Sequence, residues 1–274
     1  MQKAQAKAQA QAQAKAKAKA KAGRKRLPGL RKSDGYMLHP FDAENGVRTS
    51  GLVAGRNLKS GHRHDRYATA YYGVAPSVFH ALVERWQRLR PVDAAQNFTF
   101  VDVGAGMGRA LLLASEMRFR EVLGVELNPT LVRIARRNLS AWCRQGRQRS
   151  QARVLCADAT EWKYPLGPCV LFLFNPFGAT VMRRLLVHVA RDFASRPGEL
   201  DLLYINNEQE GVLEGRRGFA RLFLGKVRRS RADAAADRAI LANQPDGEYA
   251  SAPYEDCSIW RWVGNGPDGP HVGG

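Results

Sequence analysis

The chain has 274 residues, of which 45% are hydrophobic, and this is enough for one sizeable α/β domain with extensions. No apolar run reaches the roughly 18 residues that a membrane helix needs, so we predict no membrane span. The formal net charge of +18 favours contact with polyanions but indicates no particular fold.

Much of this charge lies in the first 32 residues, which hold eleven Lys and Arg and no acid. The tract lacks the hydrophobic centre of a signal peptide. Like charges recur four residues apart in it, as at Lys15 and Lys19, and this disfavours a helix. We therefore predict a disordered basic tail over residues 1–32. It could contact a polyanion, or it could be a solvated tail without a partner.

The four cysteines are far apart and form no C-x-x-C pair. This pattern is typical of buried, reduced thiols with a structural role, and it predicts a cytoplasmic protein. The glycine-rich end of the chain, residues 264–274, is predicted to be disordered.

Residues 33–97 are predicted to form a cap segment that ends in a helix. Residues 33–75 contain many glycines and polar residues without a clear period. His62 and His64 flank an arginine there, but no further ligand follows at the spacing of a metal site, so we predict surface histidines and no metal. A helix is predicted to begin at Pro76, because apolar residues then recur at steps of three and four.

The next predicted elements are a strand, a glycine-rich turn and a helix. Residues 98–103 are apolar and β-branched, as in a buried parallel strand. Gly104, Gly106 and Gly108 follow at alternate positions, and a helix is predicted from Arg109 onward. Such a turn brings bare backbone N–H groups and the positive end of a helix dipole close to a ligand. The third glycine comes one position too early for a dinucleotide motif, and an ordinary tight turn is the alternative.

A second buried strand is predicted over residues 121–127, with an acid, Glu126, at its end. Glu126 follows Asp102 by 24 residues, which leaves room for a helix between two parallel strands. A carboxylate at this position can accept hydrogen bonds from both ribose hydroxyls of a nucleoside. A solvated loop acid is the alternative. Asn128-Pro129 then predicts the start of the next helix.

Two further strands are predicted over residues 152–156 and 170–174. The first is followed by Asp158 and Ala159. The second is continuously apolar, as expected of a central parallel strand. It ends in Asn175-Pro176-Phe177-Gly178, at the carboxyl end where open α/β sheets bind their ligands.

The rest of the chain is predicted to complete the sheet. A helix over residues 180–193 precedes a strand over residues 200–205, whose end carries Asn206 and Asn207 within reach of a substrate cavity. Residues 219–227 and 258–263 are predicted as the last two strands, the latter at an edge of the sheet. Residues 228–256 show no clear pattern.

Together these motifs resemble the class I S-adenosylmethionine (SAM) methyltransferases, and in particular poorly characterised bacterial members with an Asn-Pro-Phe motif. The matching pieces are Asp102-Val-Gly104-Ala-Gly106-Met-Gly108-Arg109, Glu126-Leu-Asn-Pro129, Asp158-Ala159 and Asn175-Pro-Phe-Gly178. The resemblance implies a Rossmann-like, doubly wound, mostly parallel seven-stranded sheet with helices on both faces. It places the methyltransferase domain at residues 98–263.

The resemblance also implies which residues bind SAM. The expected contacts are Tyr72, Ser77, Asp102, Gly104, Ala105, Gly106, Gly108, Glu126, Leu127, Asp158 and Ala159. The family places an acid such as Asp158 near the adenine amino group, although Asp in a loop is also ordinary turn chemistry. For Tyr72 and Ser77, a role in helix initiation and packing is the alternative.

Asn175, Pro176 and Phe177 are implied to be catalytic. Amine methyltransferases of the family often carry Asn or Asp, two prolines and an aromatic residue at this corner. Side-chain and backbone carbonyls there accept hydrogen bonds from the target amine, and the aromatic ring packs on the acceptor. This chain has one proline, so Phe177 comes one position early, which weakens the analogy to DNA adenine methyltransferases. A strand-end turn without a catalytic role is the alternative.

The implied reaction is in-line transfer of a methyl group from SAM to a neutral nucleophile, for which no metal is required. The favoured acceptor is an amine nitrogen of a protein lysine or of a small molecule. Two alternatives are a non-catalytic SAM-binding module and a nucleic-acid-binding protein, with RNA methylation as one version. The sequence lacks the aromatic and basic pattern of RNA-binding modules, which disfavours the second alternative.

Overall fold

The computed structural model of the chain describes residues 32–33, 36–90, 94–243 and 252–264. A seven-stranded sheet with helices on both faces is the main structure, which confirms the predicted fold class. A two-stranded ribbon, β1 (Lys32–Ser33) paired with β2 (Tyr36–Met37), precedes it. Apart from Lys32 and Gly264, the predicted disordered tails lie outside the described residues.

The strands of the main sheet follow the predicted positions closely. They are β3 (Thr99–Val103), β4 (Glu121–Glu126), β5 (Ala152–Cys156), β6 (Cys169–Phe174), β7 (Leu200–Ile205), β8 (Phe219–Arg228) and β9 (Tyr254–Trp262). Their order across the sheet is β5-β4-β3-β6-β7-β9-β8. Neighbours from β5 to β7 are parallel, and β9 is antiparallel to both β7 and β8.

This order positions the candidate site. The chain moves outward from β3 to β5 and then returns to the other side of β3 as β6. Open α/β sheets bind ligands at such a switch point, in the crevice beyond the carboxyl ends of the strands. The topology therefore brings the ends of β3, β4, β5 and β6 together, and these ends carry most of the predicted site residues.

The described helices cover both faces of the sheet. They are α1 (Pro40–Asn45), α2 (Pro76–Arg88), α3 (Ala94–Asn97), α4 (Arg109–Ser115), α5 (Pro129–Arg144), α6 (Ala179–Asp192), α7 (Glu210–Glu214) and α8 (Arg231–Leu241). The predicted starts at Pro76 and Pro129 are confirmed, and the Asn128 side chain caps α5 by accepting from two backbone N–H groups. Within the described residues, no helix is both long and apolar enough to cross a membrane.

The core consists of two layers, one on each face of the sheet. Phe100 and Phe172, on adjacent strands, pack with Phe79 of α2 in one layer. Val101 and Leu171, the sequence neighbours of Phe100 and Phe172, belong to the layer that also contains the buried face of α6. Because side chains of a strand alternate between faces, both sides of each central strand are buried.

The predicted placement of the last strand at an edge of the sheet was wrong. β9 begins at Tyr254 and lies between β7 and β8, so β8 is the edge strand. Trp260 and Trp262 are buried, and the Trp262 indole N–H donates to the Phe193 carbonyl at 2.8 Å. After β8 the chain returns through α8, and β9 pairs with β7, which leaves β8 at the edge of the sheet. Both strands carry apolar residues, so their sequences did not show which of the two is the edge strand.

Two other expectations need correction. The stretch without a clear pattern contains α8. The Ser230 hydroxyl caps the start of this helix, and the buried apolar residues of the helix are largely alanines. All four cysteines are free, as expected, but only Cys169 and Cys257 are buried, whereas Cys143 and Cys156 are exposed. The wide spacing of the cysteines therefore predicted free thiols correctly but did not predict which of them are buried.

One buried carboxylate links three elements of the fold. Asp201, in β7, accepts hydrogen bonds from the Trp86 indole N–H at 2.7 Å and from Arg90 Nε at 2.6 Å. Trp86 lies in the last turn of α2, and Arg90 follows two residues after the helix ends. Its other oxygen accepts from Arg261 Nε of β9 at 2.8 Å. The Asp201 side chain is fully buried, so the loss of its charge leaves two cations and an indole without their acceptor.

We predict that Asp201→Ala lowers the free energy of unfolding by about 3–5 kcal/mol, because removing one partner of a buried ion pair leaves uncompensated charge. The matched control is Glu214→Ala, which removes the partner of Arg221 from an exposed pair and should change stability by less than about 1 kcal/mol. Urea unfolding of both variants measures the difference. Equal losses in the two variants would contradict a structural role for the Asp201 cluster.

Candidate functional site

The glycine turn after β3 needs glycine for two physical reasons. Gly104 and Gly106 have φ angles of 75° and 55°, a region that residues with a Cβ rarely adopt. A Cβ on Gly104 would lie 2.5 Å from Pro176 Cβ, and a Cβ on Gly106 would lie 2.2 Å from the Tyr71 ring. The turn therefore lets the β6 corner and the cap approach its backbone closely.

The Glu126 carboxylate is held by the same turn. Its Oε2 accepts from the Gly106 N–H at 2.8 Å, and its Oε1 accepts from the Asn128 N–H at 2.7 Å. Burial raises the pKa of Glu126, while these backbone donors act in the opposite direction. Each oxygen still has a lone pair available, so the carboxylate is oriented by the backbone and can accept two further hydrogen bonds.

Asp102, at the end of β3, is a buried carboxyl without a hydrogen-bond donor among the described residues. It is only 4% exposed. Burial, together with the nearby charge of Glu126, raises the pKa of Asp102 well above its usual range. A buried polar group without a partner is unfavourable. A ligand that brings a donor or a positive charge would relieve this cost.

These groups line a cavity at the carboxyl ends of β3, β4, β5 and β6, and residues 58–74 of the cap segment cover it. The predicted site residues that line it are Tyr72, Asp102, Gly104, Ala105, Gly106, Glu126, Leu127, Asp158, Ala159, Pro176 and Phe177. Ser77, Gly108 and Asn175 do not line it. The structure thus gathers predicted residues from five separate stretches of the chain around one space.

The outlying predicted residues have other contacts. A Cβ on Gly108 would face Ala135 of α5 at 3.1 Å. The Ser77 N–H donates to Asp233 at 2.9 Å, and its hydroxyl accepts from the Ser230 N–H at 2.9 Å, so Ser77 joins α2 to α8. Tyr72 lines the cavity, but its hydroxyl donates to Asp237 Oδ1 at 2.6 Å.

The acid after β5 is engaged by the cap. Asp158 Oδ1 accepts from the Thr160 N–H at 2.9 Å and from its hydroxyl at 2.8 Å. Asp158 Oδ2 lies 2.9 Å from His64 Nδ1 and 3.7 Å from His62 Nε2. His64 is buried, so the prediction of a surface histidine was wrong at this position. These contacts lower the pKa of Asp158 although burial opposes them.

Three potential metal ligands thus meet at this end of the cavity. The side chains of His62, His64 and Asp158 offer ligand atoms within 4.8 Å of one another. However, Arg184 Nη1 lies 2.6 Å from His64 Nε2. Because a guanidinium can only donate, Nε2 is the acceptor and Nδ1 keeps the proton that points to Asp158. In this state His64 has no lone pair for a metal, and its Nδ1 makes a close contact with Asp158 Oδ2 at 2.9 Å that lacks hydrogen-bond geometry.

The Asn175-Pro176-Phe177 corner is covered by the cap. The Thr69 hydroxyl donates to the Asn175 carbonyl, and the Thr69 N–H donates to the Pro176 carbonyl at 3.4 Å. Ala68 pairs with Phe177 as an isolated antiparallel bridge. Asn175 has a φ of 39°, and its side-chain oxygen accepts from the Tyr204 hydroxyl at 3.3 Å. Each backbone carbonyl expected to receive an acceptor amine therefore already accepts one hydrogen bond from the cap.

The cap is held in place by Arg109, a functional contact that the sequence did not reveal. The Arg109 side chain is buried. Its Nε donates to the Thr49 hydroxyl at 2.6 Å, its Nη2 to the Ser50 hydroxyl at 3.1 Å and its Nη1 to the Gly73 carbonyl at 3.2 Å. Asp42, also buried, lies 3.6 Å from the guanidinium and provides its counter-charge.

Asp42 in turn organises the loop that Arg109 contacts. Its carboxylate accepts from the backbone N–H groups of Thr49 and Ser50, each at 2.6 Å, and from both of their hydroxyls. No sequence periodicity marks these residues, because they belong to a loop. A Thr-Ser pair that follows a buried Asp is the only local signal, and it is too common in loops to be specific.

Comparisons with known proteins leave the function open. No protein-family model matches the sequence, and no curated protein matches it. Similar solved structures include the [4+2]-cyclase SpnF, with a TM-score of 0.49, 17% identity and coverage of 69% of this chain and 82% of that chain. Magnesium protoporphyrin IX methyltransferase (ChlM) of Synechocystis PCC 6803 with bound SAM has a TM-score of 0.43 and 14% identity, with coverage of 68% of this chain and 76% of that chain. TrmN of Thermus thermophilus has a TM-score of 0.44 and 19% identity, with coverage of 69% of this chain and 49% of that chain.

At these scores and identities the likenesses assign no function. The names of the neighbours also include a cyclase beside a methyltransferase. Because one fold carries many reactions, the function has to be argued from the site itself.

We predict that Arg109→Met releases the cap. The substitution leaves Asp42 buried without its cation, which should lower the free energy of unfolding by about 3–5 kcal/mol. Amide hydrogen exchange should accelerate over residues 42–74 more than in the sheet. Arg133→Met, at an exposed position of α5, is the matched control. Cap exchange as slow as in the control would contradict the assigned role of Arg109.

Proposed function

We propose that this protein is a class I SAM-dependent methyltransferase. The observation that carries the proposal is the Glu126 carboxylate, which the glycine turn orients at the wall of the cavity while it keeps free lone pairs. A ribose diol needs such an acceptor, because its two hydroxyls can donate to the two oxygens of one carboxylate.

The charges of the cavity fit SAM. SAM carries an ammonium and a sulfonium, and the cavity contains the carboxyl groups of Asp102, Glu126 and Asp158. Asp102, which has no donor of its own, would receive the ammonium. The pyrophosphate of a nicotinamide dinucleotide would instead bring negative charge next to these acids. The guanidinium of Arg109, the nearest strong cation of the turn, is already engaged by the cap.

SAM supplies a methyl group that is already activated by its sulfonium, so the protein has to provide alignment and exclusion of water. The cap covers the cavity and lies against the turn through Tyr71. Thr69 donates to the backbone carbonyls of Asn175 and Pro176, and the Tyr204 hydroxyl donates to Asn175 Oδ1 at 3.3 Å. Because this amide oxygen keeps a second lone pair, we assign the orientation of the acceptor to the side chain of Asn175. The stiff Pro176 beside it restricts the backbone of the corner.

The acceptor in this proposal is an amine nitrogen of a protein or of a small molecule. A SAM-binding module without catalysis would contain the same cavity but would transfer no methyl group. The polyanion contact proposed for residues 1–32 is independent of this assignment. RNA methylation would use that contact, and the distribution of label among protein, RNA and small molecules distinguishes these cases.

We predict that Glu126→Gln weakens SAM binding by roughly 10- to 150-fold, the effect of losing about 1.5–3 kcal/mol of hydrogen bonding to a charged acceptor. Glu121→Gln, at the opposite end of the same strand, is the control and should bind SAM as the wild type does. Isothermal titration calorimetry measures both affinities. Unchanged affinity in a folded Glu126→Gln protein would overturn the ribose assignment.

We predict that Asn175→Gly reduces kcat and kcat/KM together by roughly 10²–10³, because a group that orients the nucleophile acts in the transition state. Glycine tolerates the φ of 39° at this position, so the backbone conformation is retained. The assay follows radiolabelled methyl from SAM into the cellular fraction that accepts it, with SAM affinity and melting temperature measured on the same sample. Full transfer by the folded variant would assign Asn175 a structural role.

A further inference from the structure

A second cavity adjoins the candidate cofactor cavity. Both are lined by Tyr72, Phe174 and the cap residues 68–70, so one stretch of chain separates them. The second cavity has a volume of about 550 Å³, within the roughly 300–1,000 Å³ of small-molecule sites. Asn175, which does not line the first cavity, lines this one. Pro176 and Phe177 line the first cavity, so the Asn175-Pro176-Phe177 corner lies between the two spaces.

The backbone at this cavity is unusual. Asn175 follows β6 and Asn206 follows β7, with φ angles of 39° and 50°, and both line the second cavity. Within the described parts of the chain they are the only non-glycine residues with positive φ. Such conformations are uncommon and cluster at functional sites. Two adjacent strand ends thus place an asparagine at the wall of one space.

The charge around the cavity is negative. Its lining carries the acids Glu208, Glu255 and Asp256 and the bases Arg56 and Arg229. Arg229 is paired with Glu255 and also lies 3.3 Å from Asp237, which is directly behind the wall. One guanidinium is therefore shared by two carboxylates. Glu208 and Asp256, both exposed, add two further negative charges against Arg56.

The aromatic residues of the cavity suit a cation as well. Tyr72 and Tyr254 line it, and the face of a tyrosine ring attracts ammonium groups. A phosphate backbone would meet carboxylates here. Among the exposed basic residues of the cap segment near the cavities, Lys59, Arg63 and Arg66 are sequence neighbours of residues that line the first cavity, whereas Arg56 lines the second.

We propose that the second cavity is the methyl-acceptor site and that its ligand is a compact amine that is protonated in solution. This inference rests on the proposed function. The ammonium is attracted by Glu208 and Asp256 and loses one proton to water at the mouth of the cavity. Asn175 and Asn206 accept hydrogen bonds from the remaining N–H groups.

The transfer then balances without a further reactant. The nitrogen lone pair of the neutral amine forms a bond to the methyl carbon of SAM, and the carbon–sulfur bond breaks with its electron pair remaining on sulfur. The products are a methylammonium and the neutral thioether of demethylated SAM. The positive charge has moved from the sulfonium to the nitrogen, next to the carboxylates of the second cavity.

The test measures binding of n-butylamine, with butyrate as its isosteric anion, to the full chain by saturation-transfer NMR, with and without demethylated SAM. We expect butylamine to bind and butyrate not to bind. The double variant Glu208→Gln/Asp256→Asn should weaken butylamine binding by about tenfold or more and leave SAM affinity unchanged. Because both residues are exposed, the variant keeps the fold.

The matched control is Glu161→Gln, an exposed acid paired with Arg63, which should have no effect on butylamine binding. Equal binding of butyrate, or unchanged butylamine binding in the double variant, would overturn the cation site. Displacement of butylamine by a single-stranded RNA oligonucleotide would instead assign the cavity to a nucleic acid. Failure of the wild type to bind SAM while butylamine still binds would overturn the proposed function and leave the cation site standing.

Discussion

The buried ion pair between Arg109 and Asp42 is the interaction on which the candidate site depends. Arg109 begins the helix that follows the glycine turn, and Asp42 organises the loop above it. Separating buried partners leaves uncompensated charge, so the pair fixes the height of the cap above the sheet. Tyr71 then contacts Gly106 and His64 contacts Asp158. A cap in another position would leave the cavity open to water.

The electrostatics of the protein differ between outside and inside. The chain carries a formal net charge of +18, and α5 presents exposed arginines such as Arg133 and Arg137. The two cavities, in contrast, are lined by more acids than bases. Charge in a partly buried space acts more strongly than at the surface because water screens it less. Net charge therefore predicts little about the ligands that these cavities accept.

The cap also changes the chemistry available at the strand ends. Thr69 donates to two carbonyls of the Asn175-Pro176-Phe177 corner, and the Asn175 side chain accepts a hydrogen bond from the Tyr204 hydroxyl of β7. Under the proposed function, recognition of an acceptor would depend on side chains. This is consistent with a fold that supports many reactions, in which the function depends on residues added around a common cofactor cavity.

The sequence by itself determined the local elements: the strand, glycine turn and helix around Gly104 and Gly106, the acid at the end of β4, and the seven-stranded sheet. Apolar runs, glycines and caps act over a few residues, so they are legible in order along the chain. Only the tertiary structure decided that Arg109 meets Asp42, that His64 covers Asp158 and that β9 lies inside β8. Those contacts join residues far apart in sequence, and loops leave no periodic signal, so three-dimensional packing alone selects them.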